Sequence, residues 1–149
     1  MRNNFGFFIY DAKLNDYTLT ALELAKKYDY QKPIYYFDFV DPSRSYRTNI
    51  FSKQNITDDM FLEQYATIFF DAYLKEDEKK TEWYSMALQM FVGVCYVFYN
   101  NYEEYCTLPH ICNFILHNDD ETIIRFIETD DKAKGFASPY LKAQDSEKT

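Results

Sequence analysis

A chain of 149 residues with 47% hydrophobic and 20% aromatic content carries enough large side chains to fill a core, which excludes intrinsic disorder over most of its length. Its formal net charge of −8, from 24 acidic against 16 basic residues, opposes tight sequence-independent binding to nucleic acid and favours a protein partner with a basic patch. Three cysteines, Cys95, Cys106 and Cys112, form no paired framework, and no secretory leader pattern opens the chain, so a reducing, cytoplasmic setting is expected. The 15 tyrosines serve equally well as a contact surface or as half-buried filler.

The apolar run at residues 5–10 ends in Asp11-Ala12-Lys13 and predicts a buried strand that delivers polar residues to a sheet edge. Leu19, Leu22 and Ala25, flanked by Ala21 and Leu24, repeat with helical spacing over 18–28, with Asp16 or Thr18 available to cap. After Pro33, the aromatic and β-branched residues of 34–40 predict a second strand that stops at Asp41-Pro42. The order is strand, helix, strand, a βαβ unit. Residues 43–56 show no period and read as a connection, which places the domain boundary at 56/57.

From Thr57 onward only helices are predicted. The first, over about 58–74, has Thr57 as cap, Asp58 and Asp59 favourable to the helix dipole, and Phe61, Tyr65, Ile68, Phe69 and Ala72 as its apolar stripe. A charged turn at 75–80 stops it. The next, capped by Thr81, carries Trp83, Ala87, Met90, Phe91, Val94, Cys95, Val97 and Phe98 all round its axis and is therefore the central helix; Gly93 in its middle implies close helix packing. Its most apolar part, 86–99, is too short to span a bilayer, which needs roughly 17–25 residues. A third helix starts near Leu108 with Thr107 as cap and Pro109 in the first turn, burying Leu108, Ile111, Cys112, Ile115 and Leu116. The fourth opens with Asn118 and Glu121 in capping-box spacing and buries Ile123, Ile124 and Ile127. Gly135 and Pro139 interrupt the pattern after Asp130, and 143–149 is a polar, frayed end. The fold class is thus α+β, mainly α: a strand-helix-strand segment, 1–56, followed by a bundle of four to five helices, 57–149.

Candidate chemistry is sparse. Cys106, His110, Cys112 and His117 have zinc-like spacing, but on a helix the two histidines share a face opposite Cys112. No Ser or Cys stands in a strained strand-to-helix turn, and no nucleophile and base pair can be named. None of Gly6, Gly93 and Gly135 begins a phosphate-binding loop. Asp11 and Lys13 read either as an ordinary polar turn or as groups at the sheet edge where α/β ligands bind. Glu76, Asp77, Glu78 and Asp119, Asp120, Glu121 read either as solvated turns and helix starts or, if the two turns share one side of the bundle, as an acidic docking surface for a basic partner.

The segment 6–13, the helix ending Ala25-Lys26-Lys27-Tyr28 and the strand over 34–40 together resemble the coupling ATPases of type IV secretion and conjugation, in which a strand ending in Asp-x-Lys-Gly follows the Walker A region. Ser45-Tyr46-Arg47-Thr48-Asn49-Ile50-Phe51 resembles the start of the all-α insertion of that family, and Trp83, Ala87 and Met90 its central helix. Leu14 stands where the family has glycine and Ile50 where it usually has proline. The resemblance implies a RecA-like βαβ remnant, with Asp11 and Lys13 near a nucleotide, joined to the cytoplasmic all-α domain that receives a relaxase, an effector or DNA. The whole family forms hexameric translocases at the inner membrane. With neither Walker A nor Walker B in this chain, the expectation is a non-catalytic recognition module without a cofactor. The alternative is a stand-alone helical adaptor or regulator.

Overall fold

Two compact units, Met1–Arg47 and Thr48–Thr149, make up the chain in a computed structural model that describes residues 6–12, 16–38, 40–56, 58–73 and 81–147. Each is mainly or wholly helical where it has regular structure, and no strand occurs among the described residues.

The first unit holds one α-helix, α1 (Asp16–Lys27), and a 3₁₀ turn at Pro42–Arg44. The donors of the first turn of α1 are satisfied by Asp11, whose Oδ2 accepts from the backbone N–H of Tyr17 (3.1 Å) and Thr18 (3.0 Å) and from the Thr18 hydroxyl (2.9 Å). At the other end Tyr30 N–H reaches Ala25 O and Asp29 N–H reaches Lys26 O, the paired bonds of a Schellman stop. That stop needs a left-handed residue, and Asp29 takes the place glycine usually fills, at φ 47°.

The two strands expected at 5–10 and 34–40 are not seen. Residues 6–11 and 33–38 carry no strand pairing, and Phe8 is 89% exposed. The reason is the lack of anything to pair with or lie on. A strand is held by neighbours, and two strands without a covered face are marginal. Among the described residues of this unit Ala25 alone is buried. Local contacts take over: Tyr35 and Phe37 pack edge-on against Tyr46, and Asp38 gathers the N–H groups of Val40 and Asp41 and the Tyr36 hydroxyl. Those N–H groups, then the hydroxyl, hold the Asp38 carboxyl below its ordinary value.

The second unit contains α2 (Asp59–Tyr73), α3 (Glu82–Asn101), a 3₁₀ turn at Glu103–Tyr105, α4 (Leu108–His117), α5 (Asp120–Ile127), α6 (Asp131–Phe136) and α7 (Ser138–Glu147). Thr81 caps α3 by accepting from Tyr84 N–H, and every other α-helix of the unit packs on α3. Eight consecutive residues, Phe91 through Phe98, are buried, so α3 is covered on all sides. Phe51 and Ile56, in the segment read as a connection, also lie in this core, where Asn49 donates to Cys106 O and the Tyr99 hydroxyl to Ile56 O. The close approach implied by Gly93 is real: a Cβ there would meet Ala137 Cβ at 3.0 Å and Ile127 Cδ1 at 3.3 Å.

Several expected core residues lie elsewhere. The cap Thr57 falls outside the described residues; Asp58 does cap, its Oδ1 accepting from Met60 N–H. On α2 the core face is Leu62 and Ala66, with Tyr65, Phe69 and Phe70 beside them, whereas Ile68 is 64% exposed. Apolar residues stand on two adjoining stripes of this helix, and only one meets α3. Trp83, in the first turn of α3 ahead of the buried run, is 77% exposed, and Leu116 near the end of α4 equally so. The cap of α5 is Asp119, accepting from Thr122 N–H at 2.8 Å; Asn118 instead donates to Phe114 O and closes α4. Past Asp130 two further helices form, α6 and α7, seating Ala133, Ala137 and Tyr140 in the core.

Candidate docking surface

Asp11, expected at a sheet edge, has one carboxylate oxygen engaged by three donors of α1, which makes it the anchor of that helix. Lys13 lies outside the described residues. So do Glu76, Asp77 and Glu78, and with them the expected sharing of one side of the bundle by that turn and the 119–121 turn.

The second acidic turn is described. Asp119 Oδ1 accepts from Thr122 N–H, and the Thr122 hydrogen bonds hold the carboxyl below its ordinary value. Glu121 pairs with Arg125 one turn on, an exposed ion pair of small energetic weight. Asp120 is exposed at the first position of α5. All three are exposed: Asp119 is committed to the cap, Glu121 to its pair with Arg125, and Asp120 stands at the helix start.

The cysteine and histidine cluster does not converge. His110 Nδ1 lies 2.7 Å from Thr107 Oγ1 and His117 Nδ1 2.9 Å from Asn113 O, both rings exposed and engaged with their own helix. Cys95 and Cys106 are buried and Cys112 half-buried. Burial pushes all three thiols up, Cys106 to about 11, so at neutral pH they stay protonated and poor as nucleophiles or metal ligands.

Charge and apolar surface are distributed unevenly. Residues 48–149 carry eighteen acidic against nine basic side chains, whereas 1–47 carries six against seven. Within the acidic unit the outer face of α2 forms a shallow depression of about 430 Å³ lined by Met60, Glu63, Gln64, Thr67 and Ile68. Met60 is 55% exposed there. The sequence pattern missed this face because it assigned Ile68 to the core. The signal was present in the doubled apolar stripe and in the lack of any Lys, Arg or His across 58–73.

No family model matches the chain, and neither a curated protein nor a solved structure matches it.

Proposed function

We propose that the chain is a non-catalytic docking module whose acidic helical unit, 48–149, receives a protein with a basic surface. The observation that carries this reading is the partition of charge, eighteen acidic against nine basic residues in a unit that has its own core. Nucleic acid is disfavoured by the same balance, since each phosphate contact needs a Lys or Arg. In its finer form the reading is a substrate-recognition module resembling the all-α domain of a type IV secretion coupling protein, with a relaxase or effector as the received protein and 1–47 as a remnant of the neighbouring nucleotide-binding domain. A second reading, a stand-alone helical adaptor or regulator, is favoured by one observation: the described residues of 1–47 contain no strand.

Two measurements test docking. Fluorescence anisotropy with a single-stranded oligonucleotide at physiological salt is expected to give binding no tighter than about 10⁻⁴ M. A pull-down from host lysate is expected to lose a basic partner when Asp120→Lys and Glu121→Lys are combined, with Asp119 kept so that the cap of α5 survives. Nanomolar oligonucleotide binding, or a partner list untouched by the reversal, contradicts the proposal.

A further inference from the structure

The outer face of α2 is the second half of the apolar pattern that α3 does not cover. Met60, Gln64, Thr67 and Ile68 follow one another at steps of three, four or one, which sets them along one side of the helix, with Glu63 at the rim. Met60 and Ile68 are more than half exposed, and Phe61 beside them is 36% exposed. Met60, Phe61 and Ile68 with Gln64 between them make a partly apolar helix face bordered by Glu63, a surface on which the apolar side of another helix can pack. Methionine and isoleucine offer complementary qualities here, one adaptable and one rigid.

Charge selects the occupant. Residues 58–73 hold Asp58, Asp59, Glu63 and Asp71 and no cation. Asp58 accepts from Met60 N–H and Asp71 from the Tyr84 hydroxyl, while Glu63 borders the depression itself. A second copy of this chain would set α2 acid against α2 acid, and an anionic lipid surface or nucleic acid would be repelled in the same way. A helix with apolar residues on one side and Lys or Arg flanking them satisfies both the stripe and its rim.

We infer that the α2 face at Met60, Gln64 and Ile68 is the docking site for a basic amphipathic helix of another protein. The inference rests on the docking reading above and adds a partly apolar contact on α2 to the charged one at 119–121, both of which the partner uses.

The test uses the full chain and a synthetic helical peptide with Leu at positions i, i+4 and i+7 and Lys flanking them. Controls are a peptide with Glu in place of Lys and one of scrambled order. Backbone NMR shifts on titration are expected to concentrate at 60–68 with the Lys peptide only. Ile68→Lys, at a position too exposed to threaten folding, is expected to weaken binding about tenfold or more. Shifts that centre instead on Asp120 and Glu121 overturn the location while leaving docking intact. No shifts with any peptide overturn both. Sedimentation of the free chain as a dimer that Ile68→Lys dissolves overturns the proposed occupant in favour of a second copy.

Discussion

Asp130 joins the N–H groups at the start of α6 to the side-chain amides in the last turn of α3. Its Oδ1 takes Ala133 N–H at 2.9 Å, and its Oδ2 takes the Asn100 amide at 2.8 Å. Partial burial pushes its carboxyl up, but the Ala133 and Lys132 N–H groups and the Asn100 and Asn101 amides outweigh that and leave it below the ordinary 3.8. A carboxyl depressed on folding adds stability above its unfolded pKa and loses it as pH falls through the folded value. Asp130→Ala is therefore expected to cost about 1 kcal/mol at pH 6, the usual worth of a cap, and urea titrations at pH 6 and pH 3 should find the gap narrower at the lower pH. A gap that widens on acidification would mean the carboxyl is not the charged acceptor. At the same scale Phe91 and Trp83 separate cleanly. Phe91 is buried at 3% exposure and stacked on Phe69, so Phe91→Ala is expected to cost about 3–5 kcal/mol, whereas Trp83→Ala should stay within about 0.5 kcal/mol. Equal losses in thermal melts would put Trp83 back into a core.

Gly93 shows how tightly α3 meets the ends of α5 and α6. Ala137 Cβ is fixed to its own backbone and cannot swing aside, so the helix-propensity gain of Gly93→Ala, about 1 kcal/mol, is offset by overpacking of about 1–3 kcal/mol. The expected result is a net loss for alanine and a larger one for valine, read as a falling urea midpoint at constant slope. A stabilised alanine variant would mean that the close approach has slack. Helices bounded by a threonine cap and a clear period were legible in the sequence: Thr81 and Thr107 cap α3 and α4 as their spacing indicates. The helices α6 and α7 were not, because Gly135 and Pro139 looked like interruptions. Gly135 is exposed with open space around its Cα, and Pro139 sits in the first turn of α7, where a missing N–H does no harm. The real signal was Ala133, Ala137 and Tyr140 at helical spacing behind the Asp130 cap. On α2 the period was right but the stripe was one step off, since two stripes qualified and only packing on α3 could choose between them. The acidic residues of 119–121 were legible as helix-start residues, but which of them caps was not.

Across the whole chain, stability and charge are divided between the two units. Residues 48–149 bury a continuous core around α3 and carry the acidic excess, while the described part of 1–47 buries only Ala25 and leaves Phe7, Phe8 and Tyr10 exposed. Strand-like composition at 5–10 and 34–40 was misleading for a physical reason: β-structure is decided by cross-strand neighbours and a face to cover, neither of which a local run of aromatic residues contains. A docking module with its own core does not depend on such a sheet. Residue-resolved hydrogen exchange of the full chain tests this division most directly. The slowest amides are expected at 91–98, with exchange at residues 7–10, Ile34 and Tyr35 close to that of an unstructured chain. Protection at those N-terminal positions equal to that of α3 would contradict the division and restore a sheet in 1–47.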